Sequence, residues 1–243
     1  MEKIQTLKQV KVNGLKCTAV VGMVVVNDVI YVLTTHSDNG RKQPCVLHKI
    51  GKTYKTIVVN DGKGIAVHAN SLAYEDHIFY VVTRNGAGEK YNQVIGFDSN
   101  GVIKKKHKYM HPKSKIATLS IDKGRWFISV NGGNKVRCRE VIPGENLTDA
   151  EGFDRFLLFD TPDDAVGNDI TIKDGIIYAT KTDMRGGWIL SYDMNYIRHR
   201  KWFIMAPSWD KFEVEGCFPT EDGMLICVNG VIDGKQDDGV WRL

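Results

Sequence analysis

Five short apolar and aromatic runs return along the chain, each opening just after an aspartate in a turn. They are Val29-Ile30-Tyr31-Val32-Leu33, Ile78-Phe79-Tyr80-Val81-Val82, Trp126-Phe127-Ile128-Ser129-Val130, Ile176-Ile177-Tyr178-Ala179-Thr180 and Met224-Leu225-Ile226-Cys227-Val228. The leading aspartates are Asp28, Asp76, Asp122, Asp174 and Asp222, with spacings of 48, 46, 52 and 48 residues. Those intervals lie in or just above what a blade of four short strands needs. The pattern predicts an all-β fold, a five-bladed β-propeller with four-stranded antiparallel blades.

Within each unit the order reads strand, tight turn, strand, longer Gly-rich loop, strand, turn, strand. Blade two shows it best, with strands expected at His68 to Tyr74, Ile78 to Arg84, Asn92 to Asp98 and Val102 to Tyr109. Turn chemistry separates them: Glu75-Asp76-His77, then Asn85-Gly86-Ala87-Gly88, then Ser99-Asn100-Gly101. One domain is expected over 1–243, with blades at 17–60, 66–110, 115–160, 167–206 and 212–243. The fifth unit lays down only three strands before Val240-Trp241-Arg242-Leu243 ends it. The alternating stretch Ile4 to Val12 can supply the missing outer strand, so 1–12 is expected to complete blade five and close the ring.

Composition changes this picture little. The 243 residues carry a net charge of +4, mild for the length, which does not point to nucleic acid. The basic clusters Lys104-Lys105-Lys106-His107-Lys108 and Arg198-His199-Arg200-Lys201 fall on or just before outer strands, where lysine discourages edge-to-edge pairing; a polyanion-binding rim is the other reading. No window approaches the roughly 18 apolar residues of a membrane span, and the start has no apolar core of a signal peptide. Cys17, Cys45, Cys138, Cys217 and Cys227 show neither CxxC spacing nor a disulfide framework, and read as buried thiols in a reducing, cytoplasmic setting. Secretion by a removed leader stays open.

Candidate chemistry follows from the architecture. The first strand of each blade lines the axis, and the loops entering it share a face with the loop between the second and third strands. Together these define a mouth. His68, Asn70, Asn168, Asp169, Glu213 and Glu215 stand at the starts of inner strands, where apolar or small residues are usual. Such groups must be wet, mutually hydrogen-bonded or used, because unpartnered burial costs several kcal/mol. The spacing of Glu213 and Glu215 puts both on one strand face, and two carboxylates that close raise one pKa. A polar, water-filled channel is the plain structural account of the set. A ligand site at the mouth is the functional one, with His36, Trp188 and Trp209 adding titratable or flat surface. Aromatic planes beside amides and carboxylates suit sugars. The loops that would feed the mouth are 38–42, 85–90, 131–135, 183–188 and 233–238.

Other chemistries are absent as motifs. There is no GxxxxGKS/T loop, HExxH, GxSxG elbow or paired CxxC. Neither a metal nor a cofactor is expected, since Asp163-Asp164 and Asp237-Asp238 read as solvated loop pairs. The sequon Asn146-Leu147-Thr148 means little without a secretion signal.

Phe212-Glu213-Val214-Glu215-Gly216, the turn Glu221-Asp222-Gly223 and the Gly230 to Gly239 hairpin resemble the closing blade of helveticin-J-like proteins, a group that includes bacteriocins of Gram-positive bacteria. That resemblance implies a propeller acting at a bacterial cell envelope, with no catalytic residues to carry over. A second resemblance is architectural: five-bladed furanosidases place three acidic residues at the channel mouth, a role that Asp169, Glu213 and Glu215 could mimic as acid, base or nucleophile, and pKa modulator. The leading expectation is a non-enzymatic propeller binding a glycan or other polar ligand at its mouth. The alternatives are a glycoside hydrolase-like enzyme using that acidic trio, and a protein-interaction platform.

Overall fold

The computed structural model describes residues 1–36, 43–65, 68–84, 92–109, 116–132, 135–158, 166–183, 186–195, 197–206 and 208–243. Among them, strands form antiparallel four-stranded sheets that succeed one another along the chain. Sheet one holds Ala19–Val26, Val29–Thr35, Cys45–Ile50 and Tyr54–Val58, and sheet two His68–Glu75, Ile78–Arg84, Asn92–Phe97 and Ile103–Tyr109. Sheet three holds Ile116–Asp122, Arg125–Gly132, Lys135–Ile142 and Asn146–Leu158, and sheet four Val166–Lys173, Ile176–Asp183, Gly186–Asp193 and Arg198–Met205. Sheet five takes Lys211–Thr220, Gly223–Ile232 and Gly239–Arg242 from the end of the chain, and Glu2–Thr6 from its start. The outer strands of sheets two and three also pair with each other, in parallel, at Lys108 with Asn146 and Tyr109 with Leu147.

The tight first turns explain the recurring Asp, Asn and Gly. Asn27-Asp28, Asp76-His77, Lys123-Gly124 and Asp174-Gly175 all have positive φ at both central positions. This is the type I′ geometry whose twist matches two-residue hairpins. The apolar runs are continuous rather than alternating because each second strand is buried on both faces. Phe79 and Val81 pack toward sheet one against Tyr31 and Leu33, while Tyr80 and Val82 pack toward sheet three against Trp126 and Ile128. Phe127 and Cys138 meet Ile177 and Leu190 of sheet four; Ile189 meets Val214 and Ile226 of sheet five; Leu225 and Cys227 meet Met23 and Val32 of sheet one. Each gap between neighbouring sheets thus holds its own hydrophobic core, and the last gap returns to the first sheet.

The N-terminal strand is shorter than its alternation suggests. Only Glu2–Thr6 pairs in sheet five; the Leu7 amide then bonds the Asp238 carbonyl and the Lys8 amide the Tyr54 hydroxyl of sheet one. Having crossed to sheet one, Val10–Val12 folds back on Leu15–Cys17 around Asn13-Gly14, with φ of 52° and 82°. Asn-Gly is a strong hairpin signal, and it overrides the alternation here.

The first strands crowd the axis, and each carries a register irregularity at the same level: between Val20 and Gly22, Asn70 and Ala73, Ile116 and Thr118, Gly167 and Ile170, and Val214 and Gly216. Short polar side chains next to these bulges bond the backbone of the following sheet. Ser71 Oγ accepts from the Leu119 amide (2.9 Å), Ser120 Oγ from the Ile172 amide (2.7 Å), and Thr171 Oγ1 donates to the Cys217 carbonyl (2.8 Å). Asn229 closes the circle, its Oδ1 accepting from the Val20 amide at 2.6 Å. Between sheets one and two the contact is steric: a Cβ on Gly22 would lie 2.8 Å from the Leu72 nitrogen and 2.9 Å from Ser71 Cα. Both neighbours are backbone. Gly22→Ala is therefore expected to destabilise the protein by about 1–3 kcal/mol through overpacking. Gly51→Ala, whose added methyl meets nothing nearer than 3.5 Å, serves as the control. Thermal unfolding of the two variants checks this, and equal midpoints would refute the close-approach argument.

Candidate functional site

The bulges decide what faces the axis. An extra residue at a bulge breaks the two-residue alternation and re-aims a side chain. In sheets one and three the irregularity spans Val21 and Ala117; in sheets four and five it spans Asn168-Asp169 and Glu215. Polar chemistry is thereby concentrated on two adjoining inner strands.

Asp169 is buried, with 4% of its surface exposed. Its Oδ1 accepts a hydrogen bond from the Ile170 amide at 2.8 Å, and its own amide donates to Thr180 Oγ1 at 3.0 Å. Its Oδ2 lies near Gly216 of sheet five, 3.1 Å from where a Cβ there would stand. Burial pushes the Asp169 carboxyl up to about 8, the one backbone donor only partly opposing it. Glu215 is half-buried and is also pushed up to about 8, first by desolvation and then by the neighbouring Glu213 charge. Asn229 Nδ2 donates to Glu215 Oε1 at 2.6 Å and works against that rise. Glu213 itself pairs with Lys211 at 2.8 Å. Two carboxyls that stay largely protonated near neutrality can each donate and accept hydrogen bonds.

Asn168 joins the same two strands but is fully engaged, donating to the Val214 carbonyl at 2.8 Å and to Thr182 Oγ1 at 3.1 Å. Below this level, among the described residues, apolar side chains close around the axis. They leave a cavity of ≈ 30 Å³ walled by Met23, Leu72, Leu119, Ile170 and Phe218, with Asp169 at its edge. A water needs at least roughly 10–15 Å³, so one or two waters fit there.

Asn168, Asp169, Glu213 and Glu215 are thus brought together, whereas the aromatic candidates are engaged elsewhere. Trp188 donates to Asp183 Oδ2 at 3.1 Å and packs on Phe203 at 4.2 Å, with the Lys201 ammonium 4.6 Å over its ring. Trp209 lies against Phe212 and Trp241, at 5.0 and 5.3 Å, and covers Gly230 so closely that a Cβ there would come within 2.0 Å of it. His36 bonds the Lys16 carbonyl at 2.8 Å and ties the small hairpin to sheet one. Asn70 is half-buried beside the bulge of sheet two, in register with Val82. The His68 side chain lies outside the described residues, as do 38–42, 85–90, 133–134 and 184–185 of the loops expected at the mouth, and Asp163-Asp164. Asp238 is buried and caps its own turn, accepting from the Gly230 amide and from Gln236. Among the described residues no group of three or more His, Cys, Asp or Glu could hold a metal ion.

Two polar residues of this region escaped the sequence reading. Asn229 sits within an apolar strand, and its buried amide links Glu215 to sheet one. Lys181 is 0% exposed, in register with Gly167 just before the bulge of sheet four. The available signal was a Lys in the middle of Thr180-Lys181-Thr182 on an otherwise apolar strand.

No protein-family model and no curated protein matches the sequence. Solved structures do resemble the fold. A xylan β-1,4-xylosidase from Bacillus halodurans C-125 aligns over 93% of this chain and 53% of its own, at 12% identity and a TM-score of 0.59. The glutaminyl cyclase of Myxococcus xanthus aligns over 98% of this chain and 95% of its own, at 12% identity and a TM-score of 0.52. The chain is a β-propeller. A putative oxidoreductase (glucose dehydrogenase) of Thermus thermophilus adds a third likeness, over 96% of this chain and 85% of that one, at 13% identity and a TM-score of 0.50. The propeller spans about half the length of the xylosidase, and at these identities the likeness concerns the fold alone. Among the described residues no helix is long and apolar enough to cross a membrane.

The raised carboxyls give stability a definite pH dependence. Asp169 ionises near 4 in the unfolded chain and near 8 in the folded one. Between those values the folded state holds more protons, so stability falls as pH rises from about 4 to about 8 and levels off above. Glu215 acts in the same direction. Glu140 and Asp154, held low by Arg125 and Arg137, lose their contribution only in acid. Asp169→Asn is expected to flatten the fall and raise the midpoint at pH 8 by roughly 2–4 °C or more. Melting curves from pH 5 to 9 check this; an unchanged slope would place Asp169 in a wetter setting.

Proposed function

We propose that this protein is a non-enzymatic, five-bladed ligand-binding propeller, a single domain whose five sheets are the blades, and that it takes a glycan or similar hydroxyl-rich ligand at the axial end beside Asp169 and Glu215. The observation that carries the reading is the pair of protonatable carboxyls raised at the bulges of two neighbouring inner strands. Strongly perturbed titratable groups brought together on neighbouring strands are candidates for a binding site. Neutral carboxyls flanked by the Glu213–Lys211 pair offer both donors and acceptors, which suits hydroxyl groups. Hydrolysis by Asp169, Glu213 and Glu215 is less well supported. Glu213, which would have to act as base or nucleophile, is already paired with Lys211. The similarity of residues 212–223 and 230–239 to the closing blade of helveticin-J-like proteins agrees with a binding role at a bacterial cell surface. Five free, buried cysteines, on the other hand, agree with folding in a reducing compartment.

A glycan-array assay on the purified protein, with the double variant Glu213→Gln/Glu215→Gln as control, tests the proposal. Binding that drops at least about tenfold in the variant, with a melting temperature that does not fall, is expected, because the Glu213 charge is lost and an amide at 215 cannot present a carboxyl O–H. Failure to bind any glycan, or equal binding by the variant, overturns it. Release of shortened glycan would establish hydrolysis instead.

A further inference from the structure

The gaps between sheets are not equally filled. Tyr31 of sheet one closes on Phe79 of sheet two at 4.7 Å, and Tyr80 of sheet two on Trp126 of sheet three at 4.7 Å. Tyr178 of sheet four has no ring partner among the described residues, and Met224 faces it from sheet five across a cleft of ≈ 500 Å³. That volume is in the range of small-molecule sites. The cleft opens at the turns Lys173–Ile176 and Thr220–Gly223, the opposite end of the sheets from the axial carboxyls described above.

Register fixes the wall contributed by sheet four. Tyr178, Ser191 and Arg200 lie directly opposite one another on three successive strands. Residues directly opposite on paired strands share a face, and two residues on from Arg200 along its strand Trp202 returns to that face. Tyr178 and Trp202 both pack toward sheet five in the shared core, so this face looks into the gap. The slot therefore has two aromatic rings on one wall, the Met224 thioether on the other, and a guanidinium at its rim. No carboxylate pairs with Arg200 among the described residues. Its neighbour His199 is matched with Asp193 at 3.4 Å.

We infer that this cleft is a second binding site, for a small planar aromatic monocarboxylate. A space left between two packed sheets, where one ring is missing from an otherwise aromatic gap, accepts a flat apolar group. Met224 and the two rings supply the sulfur–aromatic and aromatic contacts that hold it. Arg200 supplies a forked donor for a carboxylate at the open edge. Glu221, on the opposite lip, sets the charge preference: it opposes a second negative charge, so a carboxylate is favoured over a phosphate.

Titration calorimetry of the full chain with indole-3-acetate as the probe tests the inference, with indole-3-acetamide and tryptamine as the neutral and cationic counterparts. Saturable one-to-one binding of indole-3-acetate with Kd below about 1 mM is expected. The amide and tryptamine should bind at least about tenfold more weakly, and Arg200→Gln should cost a similar factor without moving the melting temperature, Arg200 being exposed. Trp202→Leu should also weaken the probe, while Glu215→Gln leaves it unchanged. No saturation by about 5 mM, equal binding of tryptamine, retained affinity in Arg200→Gln, or loss in Glu215→Gln would each overturn the assignment. The last of these would move the probe to the axial site, so the two sites are tested independently.

Discussion

Everything in this protein depends on how closely its inner strands approach one another around a common axis. Strands in neighbouring sheets do not share a ladder there, so their backbones must meet through side chains short enough to permit the approach. The chain meets this constraint with Gly22 against Ser71 and Leu72 in one gap, and with Ser71, Ser120, Thr171 and Asn229 reaching backbone groups across the others. Each bond satisfies a backbone group on an inner strand near its bulge. Bulge and clip are two parts of one device, and a larger residue at any of these positions would push two sheets apart along their whole length.

The same device creates the polar site. A bulged residue is freed from the alternation that would otherwise bury it in one gap or the next, and its side chain can be presented to the centre. Ala117 at the bulge of sheet three only fills space, and Val21 at that of sheet one packs back into the core between sheets one and two. Asp169 and Glu215 instead bring carboxyls into a region where ionisation is penalised, a cost that packing alone gives no reason to carry. The geometry of the sheets therefore explains where the carboxyls are, and a ligand would explain why they are acidic residues at all.

Much of the architecture was legible because its causes are local. Type I′ turns demand Asp, Asn or Gly in fixed places, and a strand buried on both faces demands an unbroken apolar run; both leave marks at intervals of about fifty residues. The strands of the second unit fall within a residue of where turn chemistry put them. The site was less legible. Nothing in Phe212-Glu213-Val214-Glu215 shows that a bulge follows Val214 and separates the surroundings of the two glutamates. Nor does an isolated tryptophan disclose its fate. Trp209 is spent covering Gly230 and Trp188 on Phe203, because pairing between distant strands decides which rings are left over. Asn229 was invisible for the same reason: its importance lies in touching Val20, two hundred residues away in the chain and adjacent only once the ring has closed.

The parallel contact between Lys108-Tyr109 and Asn146-Leu147 has a mechanical meaning. It is reinforced by the Tyr109 hydroxyl donating to Asp149 and by Arg139 reaching both. Sheets two and three are thereby stitched at their outer rims as well as at the axis, and they form one eight-stranded sheet. Sheets five and one are tied as well, through Leu7 and Lys8, and in a hoop joined at some places displacement concentrates at a less filled joint. In this molecule that is the wedge beside Tyr178, so any breathing of the ring is felt first there, as a widening and narrowing of the gap between sheets four and five.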